Sequence, residues 1–515
     1  MTKAVKKNHK KQVKKEDFSR PPIVVILGHV DSGKTSLLDY ICKTHIAPKE
    51  SGGITQRIDA YQIDRNGEKM TFIDTPGHEA FSIMRSRGAK VADIAVLVVD
   101  ATQGVQDQTK ESIFQIKSSG IPFIVALNKI DMKNANPEKC KRELIKEDVL
   151  VESMGGQVPS VGTSARDGKG VDELLDLILL IAEMEELKGD LLCPAGGVII
   201  ESYMDSQRGP VASLILTEGI LKPGSIVATS SSFGKIKKLE DFRGRQKEEI
   251  RPSDPAIVIG FESSPQSGEK FQVFSDIEKA EEFIAGQDKE EKQETVKIKE
   301  GQKFLDLVIR ADALGSLEAM KGLFKNIPQE KVVLRILDAR VGDVCESDVK
   351  LAKSGPAKII AFSVKISPIA RMVAEKENVR IISFEIIYEL TEAVRILMEK
   401  IVEPDTVRNE LGKIRVLVDF LTKKGRQIVG GKIIGGEITR GVQLEVIRPA
   451  RQSLGAGGGG ETVGKGKIIE LQKDKKVKDK LVKGDECGIL FEGNVKIMVG
   501  DILQAYKDEK QKGTL

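Results

Sequence analysis

The sequence predicts a multidomain chain of the α/β-plus-β class, with a parallel-sheet domain, two related β-barrels, a second parallel-sheet βα domain and a long connecting helix. Three observations predict it. A strand-like run, "IVVILG" at Ile23–Gly28, leads into "GHVDSGKT" at Gly28–Thr35, a match to G-x-x-x-x-G-K-[ST], and then into the helical spacing of "TSLLDYICKT". Two distant β-rich segments share one template of glycine turns. Between them, short apolar strands alternate with helical stretches. At 515 residues the chain exceeds what one core supports, and about three to five domains are expected.

The amino end, residues 1–19, reads as a disordered basic arm. It carries seven lysines in its first fifteen residues with no apolar stretch behind them, so it is not a secretory signal. Such an arm suits proximity to RNA and equally suits a solubilising tail. Net charge is only +4, so any nucleic-acid surface must be local. The five cysteines are scattered without metal-ligand spacing, which points to a reducing cytoplasm, and only four histidines exist, which argues against a histidine metal centre. The longest apolar run, Leu174–Ala182, is interrupted by Asp176 and falls short of the ~18 residues of a membrane span, so no membrane association is expected.

Residues 20–190 read as a P-loop GTPase domain. Backbone N–H groups from Gly28, His29, Val30, Asp31, Ser32 and Gly33 would converge on phosphate oxygens at a helix amino end. Lys34 would bridge the β- and γ-phosphates, and Thr35 would give its hydroxyl to Mg²⁺. "FIDTPGH" places Asp74 at a strand end, followed by Thr75, Pro76 and Gly77. Asp74 can hold Mg²⁺ through water, and the Gly77 N–H can reach the γ-phosphate. "LNKID" sets Asn128, Lys129 and Asp131 past another buried strand. The Asp131 carboxylate can accept both the ring N–H and the exocyclic amine of guanine, a donor pair that adenine lacks. Ser164 and Ala165, after a fourth strand, suit a backbone contact to the guanine oxygen. All four pieces in order, each at a strand end, indicate GTP. In the glycine-rich Ser51–Tyr61 loop, Thr55 is the candidate second Mg²⁺ ligand. On spacing alone, His78 either orients the attacking water or packs the helix that follows.

Residues 191–275 and 405–515 read as related β-barrels. Gly219/Gly224 answer Gly436/Gly441, "PAIVIGF" answers "DECGILF", and "GEKFQVF" answers "GDILQAY". Residues 276–302 are Lys/Glu-rich, a solvated helix or linker. Residues 303–384 alternate strands and helices as a parallel-sheet βα domain. Residues 385–404 form the connecting helix, whose stripe Ile387, Leu390, Val394, Leu397 and Ile401 either packs on its own domain or stays partly open.

These residues are recognisable. "RPPIVVILGHVDSGKTSLLD", "SGGITQRIDAY", "FIDTPGHEAF", "NKID", "RGPVASLILTEGILKPGSIV", "LVIRADALGSLEAM" and the late "ECGI" closely resemble bacterial translation initiation factor 2, a translational GTPase family, from about Arg20 onward. The resemblance implies GTP-dependent delivery of formylmethionyl initiator tRNA to the small ribosomal subunit, joining of the large subunit and ribosome-triggered GTP hydrolysis. It implies work alongside other initiation factors, as a monomer. By the same resemblance His78 positions the water, Thr35 and Thr55 hold Mg²⁺, and Asp31 helps bind a monovalent cation. Cys487 would meet the aminoacyl end of the tRNA. The lysine-rich Lys465–Lys483 stretch, with Lys473, Lys475 and Lys476, suits a phosphate backbone or is a solvated hairpin. The chain departs from the family pattern at Ser32, Gly431, Gln472–Asp474 and the "GAGGGG" insert. Two rivals are an elongator-tRNA carrier and a non-enzymatic RNA scaffold; the domain order disfavours the first and the Asp74–His78 segment the second.

Overall fold

A computed structural model describes residues 17–43, 54–286, 303–402, 406–423, 426–449, 461–474 and 476–510. The rest of the basic arm, most of the charged linker, the Gly455–Gly460 insert and Lys475 lie outside the described residues. The chain divides into two compact units, residues 1–398 and 399–515.

The first unit opens with β1 (Asp17–Ser19), which pairs antiparallel with Lys188–Asp190. Residues 17–19 therefore leave the basic arm and join the domain, because the backbone of both its ends is paired there. The domain sheet has the order β3-β4-β2-β5-β6-β7, with β2 (Ile23–Gly28), β3 (Asp59–Arg65), β4 (Glu68–Asp74), β5 (Ile94–Asp100), β6 (Phe123–Asn128) and β7 (Ser160–Gly162). All pairs are parallel except β3–β4. Every residue of β2 and β5 is buried, as expected of central parallel strands covered on both faces. The helices α1 (Lys34–Cys42), α2 (Ser82–Val91), α3 (Asp107–Ser119), α4 (Pro137–Lys146) and α5 (Val171–Met184) complete the layers. The segments after β2, β4, β6 and β7 leave the carboxyl ends of parallel strands, where open α/β sheets place their ligands, and the segment carrying Thr55 comes to them from between α1 and β3.

The two β-barrels are each six-stranded and closed. Numbered in chain order, the strands of the first (Gly196–Asp205, Gly209–Glu218, Ile226–Ala228, Phe233–Glu240, Pro255–Phe261, Lys270–Phe274) pair around the ring as 1-2-5-4-3-6. Those of the last (Thr406–Lys423, Arg426–Thr439, Gln443–Arg448, Glu461–Lys473, Glu486–Gly493, Ile502–Lys510) pair in the identical order. The repeat read from the sequence is thus one topology used twice. Gly219 and Gly436 show why the template keeps glycine: φ is 72° and 68°, and a β-carbon would strike backbone in both.

Four parallel strands of the βα domain (Lys303–Ala311, Val332–Val341, Lys358–Phe362, Ile381–Phe384) stand in the order 2-1-3-4. The helix beyond them runs Ile387–Glu399, shorter than the 385–404 connector expected. Ile387, Leu390 and Val394 are fully buried, so the stripe packs rather than standing open. Among the described residues no helix is long and apolar enough to cross a membrane.

Side chains tie the first unit together. Thr71 donates to the Ser253 carbonyl (2.6 Å) and Gln62 to Asp254 (2.8 Å), fixing the first barrel to the β3–β4 edge. Arg87 meets Glu318 (2.9 Å) and Arg57 meets Asp312, fixing the βα domain to the loops beside the phosphate pocket.

Candidate nucleotide-binding site

The loop Gly28–Thr35 lies between β2 and α1. Its conformation is set by contacts to distant parts of the chain. Val30 N–H donates to Gln108 on α3 (2.9 Å), and the Ser32 hydroxyl donates to the His29 carbonyl (2.9 Å). Lys34 is buried and donates to the carbonyls of Gly28 (3.0 Å) and His29 (2.7 Å). Burial pushes its amine down to about 8, with Asp74 opposing, so the ammonium stands where an added phosphate charge would be welcome.

A cavity of about 240 Å³ is lined by Lys34, Thr35, Thr55, Gly77, His78 and Lys129 among others. Here the Thr35 and Thr55 hydroxyls stand 2.6 Å apart, and Thr35 Oγ1 lies 3.3 Å from Asp74 Oδ2. Three hard oxygens, from the first turn of α1, the end of β4 and the segment before β3, therefore come together around Thr35, a donor set that suits Mg²⁺. Gly77 passes so close that a β-carbon would sit 2.4 Å from Lys34 Nζ and 3.0 Å from Val30 N. Any larger residue would push Lys34 aside and crowd the Val30 backbone. Thr75 anchors the same turn by donating to the Ile26 carbonyl (2.7 Å).

His78 caps the short 3₁₀ turn Glu79–Phe81: its Nδ1 accepts from the Ala80 N–H (3.0 Å). It is 4% exposed, and burial, reinforced by the nearby Arg85 cation, holds its imidazole down to about 4. His78 thus packs at the start of the helix and also lines the cavity.

Residues at the end of β6 and just beyond it brace the phosphate loop. Asn128, nearly fully buried, donates to the Ser32 carbonyl (2.8 Å). Lys129 donates to the Asp31 carbonyl and pairs with Asp100 (2.8 Å). Ser164 donates to Asp131 (2.9 Å), with Ala165 next in the chain. The "NKID" strand end thus braces the phosphate loop and presents a carboxylate beside it. The Asp31 side chain is exposed.

Sequence reasoning missed four partners. Asp100 holds Lys129. Gln108 holds Val30. Arg85, fully buried, donates to the carbonyls of Pro76 (3.1 Å) and His78 and pairs with Glu111 (2.6 Å). Gln56, beside Thr55, donates to the Glu385 carbonyl (2.9 Å). A buried Asp at the end of β5 was the one detectable signal among them.

On the last barrel Lys473 and Lys476 are register partners in an antiparallel ladder, while Cys487 lies in the core. Cys487 is 5% exposed, its thiol donates to the Gly431 carbonyl (3.4 Å), and burial pushes it up to about 11. It packs in the barrel core. Lys473 pairs with Asp485 (2.7 Å), whereas Lys476 is exposed. The apolar Phe420, Met498 and Val499 are at least half exposed.

Three family models match the chain: the elongation factor Tu GTP binding domain over residues 19–184, elongation factor G domain 2 over 194–274, and translation-initiation factor 2 over 280–395. The translation initiation factor IF-2 of Aquifex aeolicus is 40% identical across 96% of this chain, and the chain spans 62% of that relative's length. The IF-2 of Halalkalibacterium halodurans is 39% identical, with 96% and 68% covered, and that of Thermotoga petrophila 40% identical, with 96% and 72%. Among solved structures, GDP-bound aIF5B from Aeropyrum pernix aligns with a TM-score of 0.47 at 25% identity, covering 95% of this chain and 92% of that one.

Proposed function

The chain belongs to the translation initiation factor IF-2 family, and on that premise we propose that it hydrolyses GTP in response to the ribosome while placing formylmethionyl initiator tRNA on the small subunit and promoting joining of the large one. The observation that carries the reading is the convergence of Lys34, Thr35, Thr55, Gly77 and His78 on one cavity that Lys129 also lines, with Asp131 held by Ser164. Lys34 and the loop N–H groups would neutralise and orient the phosphates. Mg²⁺, held by Thr35 and Thr55 directly and by Asp74 through water, would supply charge stabilisation at the β- and γ-phosphates. Asp131 would select guanine, and Asp31 would help hold a monovalent cation at the mouth.

His78 would orient the water for in-line attack at the γ-phosphorus. Its tautomer suits this: Nδ1 is already an acceptor for Ala80, which leaves Nε2 to carry the proton and face outward. The last barrel would take the aminoacyl end of the tRNA, with Lys473, Lys475 and Lys476 near its backbone. We place the protein in the cytoplasm as a monomer, working with the other initiation factors.

Replacing His78 with Ala tests the reading. Ribosome-stimulated turnover should fall roughly 10²–10³-fold with GTP affinity retained. Unchanged turnover would remove the enzymatic assignment of His78 and favour a scaffold in which the nucleotide is structural.

A further inference from the structure

The amino end of helix Ile387–Glu399 reaches two nucleotide-facing loops at once. Tyr388 lies against His78 with ring centroids 3.8 Å apart and planes at 68°. One residue earlier, Ile387 N–H points to Gln56 Oε1 (3.4 Å), while Gln56 Nε2 donates to the Glu385 carbonyl (2.9 Å). The side-chain amide of Gln56 is thus clasped by the backbone of residues 385–387, next in sequence to the candidate Mg²⁺ ligand Thr55. On its other side the His78 turn is held by Arg85 through the Pro76 and His78 carbonyls.

These contacts are unequal in kind. Arg85 hydrogen-bonds the backbone of the turn and acts on the imidazole only through its charge. Tyr388 touches the imidazole itself, yet it is 46% exposed, so the ring is no part of a core that needs it for packing. A half-exposed aromatic placed over an otherwise buried histidine shields that histidine, and little else, from whatever approaches from outside. Phe81 supplies a second ring contact at 6.3 Å, but from within the same turn. Among the described residues the Tyr388 ring contact alone comes from another domain, and Tyr388 follows directly on the segment that clasps Gln56.

We propose that Tyr388 is a positioning residue that keeps His78 covered, and that residues 385–388 act as a latch holding the Gln56 and His78 loops in a hydrolysis-silent arrangement until that helix end withdraws. The inference rests on the reading of His78 as the water-orienting group. The βα domain then does more than connect: its last helix sets whether the histidine is available. Slow turnover away from the ribosome follows from a contact the chain makes with itself.

The test uses the full chain with GTP and Mg²⁺ and no ribosomes, in single-turnover hydrolysis. Tyr388→Ala should raise the basal rate roughly 3- to 10-fold, the range expected when one aromatic pair is lost. Tyr388→Phe, which keeps the ring, should restore the silent state. Tyr388→Ala combined with His78→Ala should show no rise. In histidine-detected NMR, the His78 titration should move up from about 4 toward its ordinary 6.5 in Tyr388→Ala and stay low in Tyr388→Phe. Circular dichroism confirms that the variants fold. A Tyr388→Ala rate equal to or below the parent's, or a rise that persists without His78, overturns the latch. Failure of the catalytic reading looks different: His78→Ala would then keep ribosome-stimulated turnover whatever Tyr388 does.

Discussion

Around the phosphate loop Lys34, Asn128 and Lys129 are each held by main-chain carbonyls, whereas on the last barrel the candidate contacts differ in kind, with Lys473 and Lys476 opposite each other in a ladder and Cys487 in the core. Lys34 is buried against two carbonyls, and Asn128 and Lys129 reach back to brace Ser32 and Asp31. Lys476 sits in solvent, Lys473 is tied to Asp485, and Cys487 faces the core. The first region is preorganised, so its ligand meets groups whose desolvation and ordering are already complete. The second offers local charge and exposed apolar side chains on a closed ring of strands, which suits a large partner that orders contacts as it binds. The same ring order, 1-2-5-4-3-6, serves both barrels. In the first, polar groups reach neighbouring domains, as Glu201 does in accepting from the Gly315 N–H (3.2 Å). The scaffold alone therefore does not decide what a barrel touches.

The largest effect should come from the preorganised side. Asp131→Asn replaces one of the two carboxylate oxygens with an amide donor, so guanine's two donors and the Ser164 hydroxyl are left to compete for a single acceptor oxygen. GTP affinity should fall on the order of 100-fold in calorimetry, while ATP stays as weak as before. A loss of less than threefold would mean that the base is read elsewhere.

Acid should separate the two regions next. All four histidines lie within the first 78 residues, so the last barrel has none. His29 and His78 are both held below the usual imidazole value, chiefly by burial. A depressed histidine stabilises the fold above its unfolded value near 6.5, and that contribution is lost as pH falls toward about 4. The unfolding midpoint of the first unit should drop across this window, and the drop should shrink in His78→Gln. A drop of equal size in that variant would assign the acid sensitivity to other groups.

The smallest effect belongs to the lysines. Lys476→Ala should weaken binding of initiator tRNA only a few-fold and lower the salt dependence by about one phosphate contact. Lys473→Ala should do less, because Asp485 already occupies that ammonium. If both are silent in a salt series, the lysine-rich hairpin is a solvated face.

How far the sequence reveals each region follows the same divide. The loop Gly28–Thr35, Asp74–His78 and Asn128–Asp131 were legible because their geometry admits few residue types: the approach of Gly77 to Lys34 excludes a β-carbon. The barrel repeat was legible for the same reason, through Gly219 and Gly436. Arg85, Gln108 and Tyr388 were illegible. Gln108 and Tyr388 act through partners 78 and more residues away, and Arg85 through main-chain carbonyls seven and nine residues back, which no side-chain pattern marks. The length of the 387–399 helix was overread because its apolar spacing continues to Ile401 after the helix has ended. Cys487 could not be placed, since a strand residue's face depends on register, and the register puts it opposite Gly431 with its side chain inward.

The measurement that bears most directly on the central claim is isothermal titration calorimetry of the full chain with GTP and with ATP, each in the presence of Mg²⁺. The account predicts one GTP site, and for ATP an affinity at least about 100-fold weaker. Equal uptake of both nucleotides, or none of GTP, would contradict it.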